Sequence, residues 1–423
     1  MGIIKNKKIT LSYHSLCVAM IWCISVYSAI VQNVFFEIPY GMLIFGGAIL
    51  VFYYLTNSYK TFVVREAITE ENIQLLWFMA YIFIAGLLFA PEKNNHISQW
   101  ITCLEYLFIQ IVIASIIQNS GTDTFHTLLL IESIILAVIF IHNPVNYENS
   151  GRYSISTEVN PNGLGLGFVA GIWAALYIYQ KKKMPLVFTG ILVALFGYCI
   201  MMTGSRKSLV GAGIIIFLWL FICFIPNLKE QGTKKGLTTF FVMLVLVIII
   251  ARGFITLYSD ATIATRMDNL LYEASEGNRS NMYRDGFELI KKNPIFGIGF
   301  RGFQYYYGSY SHATLVEIPV SGGIIGVIMY FATYYISLKK LINIYKESKE
   351  EKSLETEQMR IKMIIILWVA MAFYTICIIH PYQFDSCILF GIIFGETAYI
   401  DNKIKANKTV AVNKKIGSKY IKV

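Results

Sequence analysis

Apolar runs of roughly 20 residues recur along the chain, and each can cross a bilayer whose hydrocarbon core is about 30 Å thick. The runs are continuously apolar rather than alternating, which predicts membrane helices and argues against a transmembrane β-barrel. Composition agrees, because 56% of the 423 residues are hydrophobic and only 15% are charged, against roughly 25% in an ordinary soluble domain. The sequence therefore predicts an all-α polytopic membrane protein and excludes a soluble globular enzyme.

We expect twelve spanning helices from the positions of these runs. Their predicted bounds are Leu11–Val31, Ile38–Leu55, Ile73–Phe89, Trp100–Ile117, Phe125–Ile141, Leu164–Tyr179, Leu186–Met202, Leu209–Ile225, Leu237–Phe254, Leu315–Leu338, Ile364–Ile379 and Ser386–Ile400. The first run is similar to a signal sequence, but its length and the apolar segments that follow favour a retained anchor. Residues 1–423 then form a single integral membrane domain.

The positions of Lys and Arg predict the orientation in the membrane. With a cytoplasmic N-terminus, 25 of the 36 Lys and Arg residues fall in inside segments. Most of the others lie in or beside one long outer loop, residues 255–314, of a kind that is translocated regardless of its charge. Both termini are therefore predicted to be cytoplasmic. The basic tail, residues 401–423, follows the same rule and attracts anionic membrane lipid, so the net charge of +10 does not indicate a nucleic-acid partner.

The cysteines indicate neither a disulfide framework nor a metal centre. All seven fall inside the apolar runs, and none belongs to a CxxC pair. They are therefore interpreted as small buried hydrophobic residues.

The long outer loop is the first candidate for function, because long loops in compact proteins are usually functional. Within it, Tyr283, Phe287 and Ile290 have the spacing of an amphipathic helix that lies on the protein or on the membrane surface. Arg279 would lie near the free backbone N–H groups at the start of this helix, a combination that suits a phosphate. The alternative is that Arg279 and Arg284 are solvated loop charges.

A GxGxxG pattern at Gly297, Gly299 and Gly302 follows Pro294, where the amphipathic helix is expected to end. A dinucleotide site would require a preceding strand in a βαβ unit, which the surrounding sequence does not predict, so we reject that interpretation. The glycines are expected to allow a tight turn. The aromatic run at 305–310 either stacks on sugar rings or belongs to the aromatic belt at the membrane interface.

Several ionisable residues lie at the ends or inside the predicted spans. His312 directly precedes the tenth span, and Glu317 follows five residues later, a separation that turns through roughly 140° on a helix, so the two need not share a face. Glu105 and Glu132 lie at membrane depth, where they either form structural hydrogen bonds inside the bundle or belong to a functional site. Arg206 ends the seventh span at the outer side, where snorkelling to lipid headgroups is the alternative to a functional role.

Taken together, these residues resemble the O-antigen polymerase and ligase superfamily of bacterial inner-membrane proteins. The resemblance covers about Arg152 to Gly326. The matching stretches are Thr203-Gly-Ser-Arg206 after a span, Arg279 with an aromatic at Tyr283, Asn293-Pro-Ile-Phe-Gly-Ile-Gly299, His312 followed by Gly323-Ile-Ile-Gly326, and Asn160-Pro-Asn162 with Arg152 upstream.

The resemblance implies transfer of a glycan from undecaprenyl pyrophosphate to a sugar hydroxyl at the outer face of the cytoplasmic membrane, without a metal or another cofactor. It implies that Arg206 and Arg279 clamp the diphosphate, which suits the planar and permanently charged guanidinium group. His312 would take the proton from the attacking hydroxyl. The further substrate-binding candidates are Arg152, Asn162, Tyr283, Arg284, Arg301 and Glu317.

Three functions remain open from the sequence. The first is a polymerase that extends a lipid-linked surface polysaccharide, either O-antigen, capsule or exopolysaccharide. The second is a ligase that moves the finished glycan to another acceptor, and the third is a flippase or other transporter of lipid-linked oligosaccharide. The expected partners are undecaprenyl-pyrophosphate-linked oligosaccharide, membrane lipid, and a chain-length regulator and flippase of the same pathway.

Overall fold

The computed structural model describes residues 68–147, 152–157, 159–226, 278–350 and 355–420. These ranges are almost entirely helical, apart from connecting turns and one short hairpin. The elements are α1 (Glu70–Phe89), α2 (Lys93–Ser120), α3 (Thr124–His142), β1 (Val145–Tyr147), β2 (Arg152–Ser154), α4 (Pro161–Gln180), α5 (Leu186–Met202), α6 (Arg206–Trp219) with a π-helical extension (Leu220–Phe224), α7 (Asn278–Lys292), α8 (Gly302–Tyr307), α9 (Thr314–Glu350), α10 (Glu355–Tyr374), a 3₁₀ turn (His380–Tyr382) and α11 (Phe384–Tyr420).

Six of the described helices are long and apolar enough to cross a membrane, namely α1 to α4, α6 with its π-helical extension, and α9. Helix α5 is also apolar but has only 17 residues. The protein is thus a multi-pass membrane protein, as the sequence predicts. Three predicted spans, Leu11–Val31, Ile38–Leu55 and Leu237–Phe254, lie outside the described residues, so the total of twelve and the cytoplasmic termini stay predictions.

The last two predicted spans have different bounds in the structure. Helix α10 ends at Tyr374 rather than Ile379, because the chain after it turns to meet the start of α9. There the backbone N–H and the hydroxyl of Thr314 both donate to the Ile378 carbonyl, at 2.9 and 2.6 Å. Helix α11 continues to Tyr420, so most of the predicted basic tail extends the last helix.

The helix termini gather at two ends of the bundle. The starts of α2, α4, α6 and α9, together with the 375–383 segment, surround the cavities described below, and we call this the cavity end. The opposite end carries Asp123 between α2 and α3, where the Tyr177 hydroxyl donates to the Asp123 carboxylate at 2.7 Å and Arg360 lies 3.4 Å from it. Candidate residues of the predicted long loop and of four helix starts are thereby brought to one end.

The hydrophobic core lies mainly between α2, α3, α4, α6, α10 and α11. Its centre includes Trp173, which is fully buried and donates its indole N–H to the Met363 carbonyl at 2.9 Å. Small residues allow close helix approach, as at Gly395, where an added Cβ would lie 2.7 Å from the Ala114 carbonyl oxygen. Such small-residue contacts are typical of helices packed within membranes.

Helix α9 is interrupted at Gly323 and not at Pro319, although proline is the residue expected to kink a helix. Gly323 has φ of 59°, a left-handed conformation that favours glycine. The interruption frees carbonyl groups of α9 to receive the loop that follows α7: Ile298 N–H donates to Val320 at 2.9 Å and Gly299 N–H donates to Ser321 at 2.8 Å. The segment that carries the GxGxxG pattern, residues 297–302, is therefore a loop that docks onto α9, and its glycines allow the turn that the sequence predicts. We call it the docking loop.

Candidate functional site

A polar cavity of about 330 Å³, which we call the outer cavity, opens at the cavity end of the bundle. Its wall combines basic, amide and aromatic side chains from five separate stretches of sequence. They are Gln99 and Thr102 of α2, Asn160, Asn162 and Gly163 at the start of α4, Lys207 of α6, Arg301, Tyr310 and His312 around α8, and Cys377, Ile378, Ile379, Tyr382 and Gln383 before α11. Among the described residues, no acidic side chain lines this outer cavity, so it suits an anion.

His312 lies exposed in the wall of the outer cavity, directly before α9. Its φ is 55°, an uncommon conformation for a residue with a side chain. The neighbouring Ser311 is buried and its hydroxyl donates to Glu317 Oε2 at 2.6 Å, which holds this strained turn in place. Such backbone strain clusters at functional sites, where the surrounding structure fixes it.

Glu317 lies behind the wall rather than in it. The side chain is 1% exposed, and its Oε1 accepts a hydrogen bond from the Tyr382 hydroxyl at 2.8 Å. Tyr382 lines the cavity. Burial, followed by the charge of Glu317, raises the pKa of Tyr382 well above its usual 10, so this hydroxyl stays a donor at neutral pH. The structure thus places Glu317 as a positioning residue for the wall.

Arg301 lines the outer cavity, and it too has a positive φ, of 59°. Its Nε donates to Gln99 Oε1 at 2.9 Å, and its backbone N–H approaches the Tyr382 hydroxyl at 3.4 Å. The docking loop fixes Arg301 from the N-terminal side, since Gly299 is bonded to α9 two residues earlier. The guanidinium group is therefore held on α2 beside the cavity.

Arg152 and Asn162 form a connected pair at the same end. Arg152 begins β2, and its Nη2 donates to Asn162 Oδ1 at 2.9 Å while its Nε donates to the Thr203 carbonyl at 3.2 Å. Asn160 caps α4 by accepting from the Asn162 N–H at 2.9 Å, with Pro161 in the first helical position. Asn162 lines the cavity, so Arg152 orients an amide of the wall.

Arg206 is the first residue of α6 and is half-buried. The turn that precedes it uses Gly204, whose φ is 60°. The next residue, Lys207, lines the outer cavity and donates from Nζ to the Cys377 carbonyl at 3.1 Å. The Thr203-Gly-Ser-Arg206 element therefore lies at the cavity end, with a second cation beside it that sequence reasoning missed.

Helix α7 confirms the helix that the sequence predicts after residue 278. It carries three candidate residues, Arg279, Tyr283 and Arg284, which do not have the same surroundings. The Tyr283 hydroxyl donates to the Ile376 carbonyl at 2.7 Å, next to the cavity wall. Arg279 belongs to the first turn of α7, four residues before Tyr283. The Arg284 side chain is 71% exposed, and its Nε lies 3.9 Å from Asp285, away from the wall.

The wall also contains Gln99, Lys207, Tyr382 and Gln383, which were not predicted from the sequence, and Tyr310, which belongs to the aromatic run 305–310 singled out there. Lys207 could have been found as the neighbour of Arg206. Tyr382 and Gln383 lie in a polar interruption, His-Pro-Tyr-Gln, which the prediction placed in a short connection between two spans. No sequence signal relates Gln99 to Arg301, which is 202 positions away.

A second, inner cavity of about 290 Å³ adjoins the outer one. The two share Asn160, Gly163, Tyr382 and Gln383 in their walls. The inner cavity extends along α3 and α4 and contains the acidic residues Glu132 and Asp385, with Ser133 and Gly167. Of the two acidic residues expected at membrane depth, Glu132 lines this cavity, whereas Glu105 lines neither.

One group of potential metal ligands lies at the opposite end. Oxygen or nitrogen atoms of Asp123, His126 and Glu396 come within 4.8 Å of one another. Arg360 already lies there, with Nη2 donating to Glu396 Oε1 at 2.7 Å. The guanidinium group supplies the positive charge that a metal ion would provide, so this cluster is interpreted as an internal ion pair.

Asp123 in this cluster is held in its ionised form. Burial opposes ionisation, but the hydrogen bond from Tyr177 and the charges of Lys181, Lys183 and Arg360 together lower its pKa to about 2. The cluster therefore ties α2, α4 and α10 together at the end remote from the cavities.

Comparison with known proteins places the candidate site inside a family match. Residues 191–331, which carry Arg206, Arg279, Arg301 and His312, match the family described as O-Antigen ligase. The chain is also 24% identical to the exopolysaccharide production protein ExoQ of Rhizobium meliloti (strain 1021), over 61% of this chain and 62% of that protein. The chain thus spans less than two thirds of the length of this relative.

A second relative is the teichuronic acid biosynthesis protein TuaE of Bacillus subtilis (strain 168). It is 23% identical, over 76% of this chain and 73% of that protein. These matches agree with the resemblance found in the sequence: residues 191–331 are similar to the O-antigen ligase family, and the chain is similar to two bacterial polysaccharide biosynthesis proteins.

Proposed function

We propose that the protein is a polymerase of surface polysaccharide, which transfers a growing glycan from undecaprenyl pyrophosphate to the next lipid-linked repeat unit. The observation that carries this proposal is the outer cavity, where Lys207, Arg301 and His312 share a wall that no acidic side chain of the described residues lines. A lipid diphosphate is an anion that such a wall attracts. A sugar hydroxyl would meet His312 at the cavity mouth.

The cations would act on the leaving group. As the anomeric C–O bond of the donor breaks, its electron pair and negative charge pass to the diphosphate, which Arg206 and Arg279 would stabilise together with Lys207 and Arg301. Guanidinium groups that are already held in place stabilise the negative charge on the diphosphate without having to reorganise. We therefore propose a glycosyltransferase that requires no divalent metal.

His312 would serve the acceptor. Its imidazole takes the proton of the attacking hydroxyl while a new C–O bond forms at the anomeric carbon. Histidine suits this role because its ordinary pKa lies near neutral pH. The buried Ser311 and Glu317 would hold the strained turn so that the imidazole stays at the cavity mouth.

The proposed orientation places the cavity end at the outer face of the cytoplasmic membrane. Clusters of basic residues, including Lys181 and Lys183, lie at the opposite end, which the positive-inside rule assigns to the cytoplasm. The long loop of residues 255–314 would then be extracytoplasmic. The expected partners are the lipid-linked oligosaccharide, membrane lipid, and a flippase and chain-length regulator of the same pathway.

A ligase is the second candidate, favoured by the description of the matching family. It would use the same diphosphate site and transfer the finished glycan to a different acceptor. A flippase is the third candidate, and it would show its charges along a path through the midplane. The basic side chains that line the outer cavity, Lys207 and Arg301, instead lie at one end of the bundle. This position favours glycan transfer over transport of the lipid-linked oligosaccharide across the membrane.

The surface glycan of a deletion strain tests these candidates. If the protein is a polymerase, the deletion strain should carry single repeat units on the normal carrier. If it is a ligase, the deletion strain should accumulate long lipid-linked chains that are not attached to their acceptor. Purified protein in liposomes gives the second measurement. Elongation of externally added lipid-linked repeat units, without movement across the bilayer, would support transfer, and its absence under all acceptor conditions would contradict it.

A further inference from the structure

The inner cavity is chemically different from the outer one. Glu132 lies in the middle of α3 at membrane depth, is only 7% exposed, and lines the inner cavity together with Asp385. Carboxyl groups at this depth are costly, and they face a wet cavity or a partner rather than lipid. Gly167 of α4 adds to the space, because an added Cβ there would meet only Leu136, at 3.7 Å.

The common wall determines what can extend from one cavity into the other. Asn160, Gly163, Tyr382 and Gln383 border both cavities, so a ligand group that leaves the outer cavity passes these residues. A sugar ring is directly bonded to the terminal phosphate of a lipid-linked glycan. With the diphosphate in the basic outer cavity, that ring lies close enough to enter the inner one.

We propose that the inner cavity is a sugar subsite, in which Glu132 and Asp385 accept hydrogen bonds from hydroxyl groups of one uncharged sugar ring. This inference rests on the proposed function, because the diphosphate in the outer cavity places the ring. An ionised carboxyl group offers two acceptor oxygens and no donor, which suits hydroxyl groups. Two carboxyl groups in a partly apolar cavity also disfavour a phosphate or a carboxylated sugar.

The dimensions agree with a single ring. A volume of about 290 Å³ lies just below the range of ligand pockets, roughly 300 to 1,000 Å³, as expected for a ligand group smaller than a whole drug-sized molecule. Apolar side chains such as Leu129, Leu164 and Ile388 complete the wall. These can pack against the C–H face of a pyranose while the carboxyl groups bind its hydroxyl edge.

The ring in this subsite belongs either to the donor, next to the diphosphate, or to the acceptor. Both have the same chemistry, and binding to the purified protein in nanodiscs separates them. The probes are undecaprenyl diphosphate, the lipid-linked oligosaccharide extracted from a deletion strain, and the same oligosaccharide after release from its lipid by mild acid. The variants are Glu132→Ala and Glu132→Gln, with Glu105→Gln as the control, since Glu105 is equally buried and lines neither cavity.

For a donor ring, Glu132→Ala should weaken binding of the lipid-linked oligosaccharide at least tenfold and leave binding of bare undecaprenyl diphosphate unchanged. For an acceptor ring, the released oligosaccharide should lose at least tenfold in affinity, measured with bare undecaprenyl diphosphate at saturation. Glu132→Gln should lose less in either case, because it keeps one acceptor oxygen. Glu105→Gln should match the wild type with all three probes.

A steric variant tests the same subsite without changing its charge. Gly167→Leu fills the inner cavity, and Gly213→Leu is the matched control, because a Cβ at Gly213 of α6 meets nothing within 4 Å. Gly167→Leu should reproduce the selective loss of sugar binding, whereas Gly213→Leu should not. Normal insertion and thermal unfolding of both proteins confirm that they fold.

Two results would overturn the subsite. One is unchanged affinity for every sugar-bearing probe in Glu132→Ala and Gly167→Leu. The other is an equal loss for bare and glycosylated lipid in both variants. Failure of the proposed function has a different signature, namely that Lys207→Gln combined with Arg301→Gln leaves binding of bare undecaprenyl diphosphate unchanged.

Discussion

The Tyr382 hydroxyl donates a 2.8 Å hydrogen bond to the buried Glu317 carboxylate, so a residue outside the cavities fixes an aromatic ring in the wall that they share. The same carboxylate accepts from Ser311, which precedes His312. One buried acid therefore holds both the cavity wall and the turn of the proposed base. In the proposed transfer reaction, Glu317 would act by positioning these groups and not by contacting the substrate.

Removal of this acid should impair transfer more than a conservative change does. Glu317→Ala removes an acceptor from three hydroxyl groups, those of Ser311, Ser321 and Tyr382. Each hydroxyl that stays buried without an acceptor costs roughly 1–3 kcal/mol in the free energy of unfolding. Glu317→Gln keeps one acceptor oxygen and should retain more activity. Elongation rates and thermal unfolding in detergent measure the two effects, and wild-type elongation by folded Glu317→Ala would contradict the positioning role.

The proposed diphosphate clamp predicts that charge alone is insufficient at Arg279 and Arg206. Arg279→Lys should fail nearly as badly as Arg279→Ala, because lysine keeps the charge but loses the bidentate fork. By analogy with the removal of one oxyanion donor, each loss should reduce the rate by about 10²- to 10³-fold. The polysaccharide ladder of cells with matched protein levels measures this effect.

Arg284 provides the control for the clamp. It lies on the same helix as Arg279, but its side chain is 71% exposed. Arg284→Ala should therefore give a near-normal ladder. A normal ladder from Arg206→Ala and Arg279→Ala cells as well would remove the proposed clamp.

The sequence predicts the membrane class, the positions of nine described apolar helices and helix α7. It also names His312, Arg301 and Asn162 as candidates, and the structure brings these three to one cavity wall. These predictions follow from hydropathy, charge distribution and motif order, all of which are local in sequence. The relation between Arg301 and Gln99, or between Glu317 and Tyr382, is a tertiary contact that no local pattern encodes.

The break in α9 shows a similar limit of sequence reasoning. Proline and glycine both interrupt helices, and Pro319 is the stronger local signal. Proline is nevertheless accommodated within α9, and the chain departs from helical geometry at Gly323. There the Ile295 carbonyl would lie 2.2 Å from an added Cβ, so the close approach of another loop selects glycine.

Cysteine labelling tests the predicted orientation. Asn281 of α7 and Asn343 of α9 are both exposed, and they lie toward the cavity end and the opposite end respectively. A membrane-impermeant thiol reagent should label Asn281→Cys in intact cells and should label Asn343→Cys only after permeabilisation. The five described native cysteines are all buried. Labelling of both positions from outside would contradict the orientation.

The ion pair between Arg360 and Glu396 should stabilise the bundle without serving the site. Arg360→Gln removes one partner of a buried pair, which typically costs about 3–5 kcal/mol. Lys291→Gln is the control, because its exposed pair with Glu288 should contribute no more than about 1 kcal/mol. Thermal unfolding in detergent measures both, and equal stability of the two variants would contradict the role of the cluster.

The pH dependence of unfolding tests Asp123 in the same cluster. Its pKa in the folded protein is about 2, below the ordinary 3.8, because Tyr177 and three cations favour the ionised form. A lowered pKa stabilises the folded protein above pH 3.8 and loses this contribution as the pH falls toward 2. The shift corresponds to about 2 kcal/mol. Asp123→Asn should therefore unfold more easily than the wild type at pH 7, and the difference should shrink as the pH is lowered from 4 toward 2. A difference that stays constant or grows over that range would show that the Asp123 carboxylate does not stabilise the fold through its charge.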